Sequence, residues 1–216
     1  MNIILFGPPG AGKGTQADNI LKFFKLYKIS TGDLLRKEIK YKTTLGVKLK
    51  SVLEKGEFVS DDIINNLIEK ILSDKNYYNR LIFDGYPRNL PQTKSLDLLL
   101  KKYNQKISCV FSLNVNKEAI IKRILGRQTC SNCGLIFHEH FKPATKKNHA
   151  CDPKFLNRRS DDNESTIINR FETYLDKTLP ILDFYKQQNL LHQINGSAKI
   201  DQIFEEIRAI IASLEA

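Results

Sequence analysis

The sequence of 216 residues predicts a soluble α/β protein, a three-layer fold in which helices cover both faces of a parallel β-sheet. Two observations support this prediction. Short apolar runs typical of buried strands alternate with longer segments of helical periodicity, and a glycine-rich turn joins the first strand to the first helix. The length suits one well-packed domain with an insertion. Hydrophobic residues make up 41% and charged residues 27%, which excludes a disordered chain and a membrane-embedded one.

The predicted elements follow one another in a regular order. A buried strand covers Asn2–Phe6, and a helix over about 13–25 has apolar residues spaced to share one face. A short apolar piece over 27–29 leads to Ser30, an N-cap residue for polar helical segments that extend to about 55. Strands are then predicted over 80–84, 107–115 and 190–194, with helices over 61–72, 91–102, 117–125, 164–188 and 199–214. Pro180 is expected to bend or restart the helix over 164–188.

One segment departs from this alternation. Residues 126–162 contain three cysteines, two prolines and three of the four histidines, and they have no helical period. We therefore expect an insertion there, on a core that otherwise alternates between strand and helix.

The chain is strongly basic. Lys and Arg number 34 against 24 Asp and Glu, which gives a net charge of +10. Such an excess suits a nucleic acid, an acidic membrane surface or a highly phosphorylated small molecule. The apolar N-terminal run is too short for a signal peptide and no segment is long and uncharged enough to span a bilayer, so we expect a cytosolic protein. Four cysteines, three of them close together in sequence, fit that compartment.

A phosphate-binding loop is indicated by residues 7–15, which follow a strand and open a helix. Glycines let the backbone N–H groups and the helix N-terminus face an anion, and Lys13 adds a positive charge for phosphate. Gly14 stands where the general pattern has Ser or Thr. The candidate residues of the loop are Gly10, Ala11, Gly12, Lys13, Gly14 and Thr15.

Residues 7–16, Gly-Pro-Pro-Gly-Ala-Gly-Lys-Gly-Thr-Gln, closely resemble the phosphate loop of nucleoside monophosphate kinases, adenylate kinases above all. Residues 30–36, residues 83–88 with Gln92, and residues 159–162 with Arg170 extend the resemblance over essentially the whole chain. The resemblance implies a P-loop fold with a core of residues 1–29, 60–125 and 164–216. It also implies a helical AMP-binding flap over 30–59 and a lid over 126–163 that closes on ATP.

The same resemblance implies a reaction and its site. The reaction is the reversible, Mg²⁺-dependent transfer of the terminal phosphoryl group of ATP to AMP, by a monomer that binds neither nucleic acid nor membrane. Asp84 is implied to position Mg²⁺ through water. The implied ATP contacts beyond the loop are Arg123, Arg127, Ile136, Phe137 and, through its backbone because some relatives have Lys there, Ala198. The implied AMP contacts are Thr31, Arg36, Glu57, Phe58, Val59, Gly85, Tyr86, Pro87, Arg88, Gln92, Arg159 and Arg170.

The residue types fit this chemistry without the resemblance. Phosphoryl transfer between two polyanions requires positioning and charge neutralisation more than covalent help. Asp161 and Asp162 could act as general bases by spacing alone, but phosphate is already a competent nucleophile. They more plausibly orient Arg127 or Arg159, or cap the next helix. Arg123 lies inside an amphipathic helix and has a structural interpretation too. The candidate catalytic residues are Lys13, Arg88, Arg127, Arg159, Arg170, Asp161 and Asp162.

A cysteine pair and a third cysteine suggest an incomplete zinc ribbon. Cys130 and Cys133 are three residues apart and Cys151 lies eighteen positions further on. Long-form bacterial adenylate kinases, which the chain resembles, carry Cys or Asp at the last position, where this chain has Lys154. Two interpretations remain open: zinc completed by Asp152, His149 or His138, or a lid without metal that hydrogen bonds and packing hold together.

Three other functions are compatible with parts of the sequence. A kinase of UMP, CMP or GMP would differ by only a few base contacts. A nucleic-acid-binding protein with a zinc ribbon would use the basic run over 142–147, but that run lacks interleaved aromatic residues and a base-reading helix. A switch GTPase would normally have Ser or Thr directly after Lys13, where this chain has Gly14.

Overall fold

A computed structural model describes residues 1–54 and 59–215 of the chain. The described strands are β1 (Asn2–Phe6), β2 (Tyr27–Ser30), β3 (Leu81–Asp84), β4 (Ile107–Asn114), β5 (Arg127–Cys130), β6 (Ile136–His138), β7 (Leu156–Asn157) and β8 (Leu191–Asn195). The described helices are α1 (Lys13–Phe23), α2 (Thr31–Lys40), α3 (Thr44–Glu54), α4 (Asp61–Leu72), α5 (Leu90–Lys102), α6 (Lys117–Leu125), α7 (Glu164–Thr173), α8 (Ile181–Lys186) and α9 (Ile200–Glu215).

The central sheet has five strands in the order β2-β3-β1-β4-β8, and every pairing is parallel. The register aligns Leu5 of β1 with Asp84 of β3, and Asp84 with Ser30 of β2. The carboxyl ends of these strands therefore meet at one edge, where open α/β sheets bind their ligands. The prediction of a parallel sheet with helices on both faces is confirmed.

Two apolar layers enclose this sheet. Along β1, Ile3 and Leu5 pack with α9 on one face, whereas Ile4 and Phe6 pack with α4, α5 and α8 on the other. This alternation follows from the two-residue period of a strand. Because both faces are covered, β1 is apolar after Asn2, as the sequence of a buried parallel strand requires.

The insertion forms a second sheet, which the sequence did not predict. Strands β5, β6 and β7 make a three-stranded antiparallel sheet in the order β6-β5-β7. They have only four, three and two residues, too few for a two-residue period to be recognised. In the flap, α2 begins after Ser30, whose hydroxyl accepts a hydrogen bond from the Asp33 N–H at 3.3 Å, as the capping pattern predicted.

The long helix predicted over 164–188 is interrupted. Helix α7 ends at Thr173, a π-helical turn covers Tyr174–Thr178, and α8 begins after Pro180. This confirms the expected bend, because proline cannot donate the hydrogen bond that would continue the helix. No helix among residues 1–54 and 59–215 has the length and apolar character needed to cross a membrane.

The insertion and the flap meet over the carboxyl edge of the central sheet. Lys40 Nζ of the flap donates to the Ser131 carbonyl of the insertion at 3.3 Å. The Arg159 guanidinium of the insertion lies 3.8 Å from an Asp33 carboxylate oxygen in the flap. The insertion and the flap thus cover a cleft whose floor is the P-loop.

Candidate active site

The cleft has a volume of about 850 Å³ and lies between the carboxyl edge of the sheet, the flap and the insertion. Its walls collect predicted residues from separate parts of the chain, which is the arrangement expected of a built ligand site. The predicted residues that line it are Gly10, Ala11, Gly12, Lys13, Gly14, Thr15, Arg36, Asp84, Gly85, Pro87, Arg88, Arg123, Arg127, Ile136, Phe137, Arg159, Arg170 and Ala198.

The P-loop wraps the N-terminus of α1. Gly10 and Gly12 have φ values of 79° and 98°, a left-handed conformation that favours glycine. At Gly10 a Cβ would also lie 2.7 Å from Ile124 Cγ1, so the turn leaves no space for a side chain. The loop amides and the start of α1 thus form an anion-binding end of a helix.

Lys13 is held inside this loop. Its Nζ donates to the Gly7 carbonyl at 2.7 Å and to the Pro8 carbonyl at 3.0 Å. Burial lowers the pKa of Lys13 to about 8, although the Asp84 carboxylate acts in the opposite direction. The ammonium is therefore charged at neutral pH and poorly solvated, which favours its pairing with phosphate.

Asp84 faces the loop from the carboxyl end of β3. A Cβ placed on Gly14 would lie 3.6 Å from Asp84 Oδ2, so the carboxylate reaches the phosphate-binding turn. Burial raises the pKa of Asp84, and the charges of Lys13 and Lys28 partly oppose that effect. Asp84 therefore lies beside the P-loop in the structure.

Five arginines converge opposite the P-loop, from α2, the turn after β3, β5, the end of the insertion and α7. Burial lowers the pKa of Arg88 to about 10, and the nearby charges of Arg170 and Arg36 add to the effect. Burial likewise lowers the pKa of Arg159 to about 10, with Arg127 and Arg36 contributing. Like charges crowded in this way indicate a site shaped for a polyanion.

Two carboxylates orient two of these arginines. Asp162 accepts hydrogen bonds from Arg127 Nε at 2.8 Å and from Arg127 Nη2, and its side chain is only 1% exposed. The prediction that these aspartates orient Arg127 or Arg159 therefore agrees with the structure at Asp162, whereas Asp161 pairs with Arg170 instead. The expectation that one of these aspartates caps the next helix is wrong, because Asn163 accepts the capping hydrogen bond from the Thr166 N–H.

Arg123 has a structural contact as well as a place in the cleft wall. Its Nη1 donates to the Gly196 carbonyl at 2.9 Å and to the Ala11 carbonyl at 3.3 Å. It therefore ties the P-loop to the loop that contains Ala198. Burial lowers the pKa of Arg123. The alternative structural interpretation of this residue is consistent with these contacts.

Half of the twelve predicted acceptor-site residues line the cleft. Arg88 Nε donates to the Gly85 carbonyl at 2.7 Å, and Thr31 Oγ1 donates to the same carbonyl at 2.9 Å, beside the cleft. Tyr86 is buried and its hydroxyl donates to Asn65 Oδ1 at 2.8 Å. Four predicted contacts do not line the cleft: Thr31, Val59, Tyr86 and Gln92. The remaining two, Glu57 and Phe58, lie outside the described residues.

Asp33 is a cleft residue that the sequence analysis did not select. Its carboxylate accepts from Arg36 Nη2 at 2.5 Å and lies 3.8 Å from the Arg159 guanidinium. Burial acts to raise the pKa of Asp33, but the charges of Arg36 and Arg159 outweigh it and the pKa is lowered. The available signal was a carboxylate three residues before Arg36, the spacing of neighbours on a helix.

Three of the four cysteines gather in the insertion. Cys130, Cys133, Cys151 and His149 place their ligand atoms within 4.8 Å of one another. His149 was one of three candidates for the fourth position. The other two are engaged elsewhere: His138 Nδ1 accepts the His140 N–H at 3.0 Å, and Asp152 caps a short helical turn.

The surroundings of this cluster suit thiolate ligands. His149 is buried, and its Nε2 atom has no hydrogen-bond partner in the described part of the chain. Asn132 Nδ2 donates to Cys151 Sγ at 3.3 Å, and the Cys133 N–H donates to Cys130 Sγ. Burial acts to raise the pKa of Cys130, but the hydrogen bond from the Cys133 backbone and the proximity of the His149 ring lower it to about 6. Such outer hydrogen bonds are typical of metal-binding thiolates.

Comparison with known proteins identifies relatives over nearly the whole length. The family model described as adenylate kinase matches residues 5–190. An adenylate kinase of Pelagibacter ubique is 46% identical over 211 residues, 98% of this chain and 99% of the relative. One of Novosphingobium aromaticivorans is 43% identical over 215 residues, 99% of this chain and 100% of the relative. One of Methanosarcina barkeri is 42% identical over 213 residues, 98% of each chain.

Proposed function

The chain belongs to the adenylate kinase family, and we propose from this premise how its residues carry out reversible phosphoryl transfer from ATP to AMP. The observation that supports the proposal most directly is the convergence of Lys13 and six arginines on one cleft. Neutralising the charge of two polyanions is the main demand of this reaction, and the cleft supplies cations from both sides.

The P-loop side of the cleft is the proposed ATP site. The amides of residues 10–15 and the N-terminus of α1 would surround the phosphates, while the Lys13 ammonium exchanges its carbonyl contacts for phosphate oxygens. Ile136 of the insertion would cover the nucleotide, since its Cδ1 lies 3.8 Å from the position of a Cβ on Gly14. Phe137 lines the same wall, with its ring packed against His149. Ala198 would contribute through its backbone, on the loop that Arg123 fixes.

The flap side is the proposed AMP site. Arg36 and Arg88 would bind the phosphate of AMP, because both line the cleft. Thr31 and Gln92 would contact the base from beside the cleft. For Val59, which is buried in the core, we propose a packing contribution to the wall of the base site.

The transferring group would be bridged by Arg127, Arg159 and Arg170. Arginine offers a planar fork that binds two phosphate oxygens at once. Asp162 holds Arg127 and Asp161 holds Arg170, so these guanidiniums are preorganised rather than ordered at the moment of reaction. We assign both aspartates this orienting role and no proton transfer.

Magnesium accompanies ATP in this family. Asp84 fits a hydrated divalent cation, because it is an enclosed carboxylate beside the P-loop and burial leaves its negative charge poorly solvated. Asp84 would hold the ion through water. The ion supplies charge neutralisation between the phosphates when it is bound.

The flap over 30–59 and the lid over 126–163 are proposed to be separate moving units on the core. Contacts between Lys40 and Ser131 and between Arg159 and Asp33 support a closed arrangement in which water is excluded from the cleft. A bisubstrate analogue should compact the protein in solution scattering. Unchanged dimensions in the presence of the analogue would contradict closure.

The lid is proposed to bind one structural Zn²⁺ ion. Three thiolates and one imidazole make a complete tetrahedral donor set, and the unpartnered Nε2 of His149 supports the fourth position. The ion would link the two ends of the lid, with Cys130 and Cys133 at one end and His149 and Cys151 at the other.

Metal analysis of protein purified under reducing conditions tests this site. One zinc per chain and a melting temperature lowered by chelator are expected, and His149→Ala should lose both properties. His140→Ala, an exposed lid histidine outside the cluster, is the matched control. Protein without stoichiometric zinc whose melting temperature ignores the chelator would contradict the proposal.

The choice of acceptor is tested by a coupled assay of ADP formation with AMP, GMP, UMP and CMP in parallel. AMP should give the highest kcat/KM. A higher value for another monophosphate would reassign the substrate. We also propose a monomer in the cytoplasm, which light scattering after gel filtration and cell fractionation test directly.

A further inference from the structure

A closed hydrogen-bond network joins the start of α4 to the start of α5, beside the proposed AMP site. Asp61 is the first residue of α4 and follows the flap directly. Its Oδ1 accepts from Gln92 Nε2 at 2.6 Å, and its two oxygens accept from Asn89 Nδ2 at 3.2 and 3.3 Å. One carboxylate thus receives two side-chain amides.

The carbonyl ends of both amides are also occupied. The Arg88 N–H donates to Gln92 Oε1 at 2.7 Å. The Gln92 N–H donates to Asn89 Oδ1 at 2.7 Å, which is the N-cap contact of α5. Because a carboxylate can only accept and a backbone N–H can only donate, each amide has one satisfying orientation. Gln92, which is only 2% exposed, is therefore fixed at both ends.

We propose that Asp61 is a positioning residue that holds the Gln92 amide in this orientation and thereby sets the preference for adenine over guanine at the acceptor site. This inference rests on the proposed contact between Gln92 and the base. Adenine presents an amino donor where guanine presents a carbonyl acceptor. If the Gln92 amide cannot rotate by 180°, its oxygen accepts a hydrogen bond from the adenine amino group but repels the guanine carbonyl oxygen.

The substitution Asp61→Asn tests the network. Oδ1 of Asp61 accepts from both neighbouring amides, whereas asparagine can present either an oxygen or an NH₂ group there, so the group that faces Gln92 is no longer one that can only accept. The Gln92 amide loses its single favoured orientation. We expect kcat/KM for AMP to fall about tenfold, the loss typical of one buried hydrogen bond, and the GMP to AMP ratio to rise by at least the same factor. The KM for ATP should not change, which separates this role from a general structural one.

Asp62→Asn is the matched control. Asp62 lies on the same first turn of α4 and its removal takes away the same charge near the helix N-terminus, but its side chain is exposed. This variant should retain the wild-type ratio. If it changes the ratio as much as Asp61→Asn does, the effect is electrostatic and the proposal is overturned.

Gln92→Ala separates this inference from the proposed function. If it leaves the GMP to AMP ratio unchanged, Gln92 does not select the base, and the proposed contact fails with the inference. If it raises the ratio while Asp61→Asn does not, only the role of Asp61 is overturned. Combined with Gln92→Ala, Asp61→Asn should raise the ratio no further.

A rescue variant keeps the test independent of folding. In Asp61→Asn/Asn89→Ser, serine retains a cap acceptor for the Gln92 N–H but removes the second amide donor. The asparagine oxygen is then free to accept from Gln92, and the ratio should return towards the wild-type value. A ratio as high as in Asp61→Asn alone, with a wild-type melting temperature, would overturn the proposal.

Discussion

Replacing Arg88 with alanine should remove most of the activity and leave the fold at least as stable as before. Arg88 lies in the cleft wall between the proposed ATP and AMP sites, and its Nε donates a hydrogen bond to the Gly85 carbonyl at 2.7 Å. That contact fixes the guanidinium on the turn after β3. The substitution therefore removes a charged group that the main chain has already oriented.

The loss of activity follows from the number of contacts. A hydrogen bond to a charged group contributes about 1.5–3 kcal/mol. If two such bonds form to the phosphoryl groups, their removal costs about 3–6 kcal/mol, a decrease of about 10²- to 10⁴-fold in kcat/KM. Arg88→Lys retains the charge without the planar fork and should lie between alanine and the wild type.

The effect on stability has the opposite sign. Burial and the charges of Arg170 and Arg36 lower the pKa of Arg88 to about 10, because they disfavour the charged form in the folded protein. A decrease of that size corresponds to about 3 kcal/mol of destabilisation at neutral pH, where the unfolded chain carries the same charge unopposed. The substitution removes this destabilisation, but it also removes the hydrogen bond to Gly85 and side-chain packing, which costs about 1–3 kcal/mol.

Initial rates in the coupled assay and a thermal melt measure both quantities on the same samples. Arg208→Ala is the control, since Arg208 pairs with Glu205 on the exposed face of α9. An Arg88→Ala protein that keeps more than about a tenth of the activity refutes the catalytic part of the reasoning. A melting temperature below the wild-type value by more than about 4 °C, roughly 1 kcal/mol or more for this size, refutes the stability part.

Three further predictions concern the ATP side of the cleft. The pKa of Lys13, about 8, predicts that kcat/KM for ATP falls above pH 8, because the free enzyme loses the positive charge of this side chain. At saturating ATP, kcat should stay constant to a higher pH than kcat/KM does. Identical pH profiles for kcat and kcat/KM would contradict this prediction. Asp162→Asn should lower kcat/KM for ATP about 10- to 100-fold, because it removes a charged partner of Arg127; an unchanged value would exclude the orienting role. Gly10→Ala should raise the KM for ATP at least about tenfold, since its Cβ would lie 2.7 Å from Ile124 Cγ1 at a φ of 79°. An equal rise in the KM for AMP would contradict a local effect on the P-loop.

Local patterns were sufficient to predict the core. Strand β1 and helices α4 and α6 have the predicted bounds. The hydrophobic pattern that predicts each of them lies within one short continuous segment of the sequence. The P-loop was equally readable, since its glycines and lysine are contiguous and their geometry depends on the backbone between them.

Contacts between distant residues were not predictable in the same way. Asp61 and Gln92 are 31 residues apart, and no sequence pattern around either residue predicts their contact. The lid strands are too short for their pattern to be recognised, so the position of His149 beside the cysteines followed only from the fold. For the same reason the pairing of Asp161 with Arg170 was not predicted, although the pairing of Asp162 with Arg127 was among the predicted alternatives. These features depend on how segments pack, which no local rule describes.

The most direct test of the account is the stoichiometry of ADP formation from ATP and AMP with Mg²⁺ present. The cleft is proposed to bring two nucleotides together and exclude water, so two ADP should form for each AMP consumed, with negligible phosphate release. Release of phosphate from ATP at the same rate with or without AMP would contradict it, because the cleft would then transfer the phosphoryl group to water.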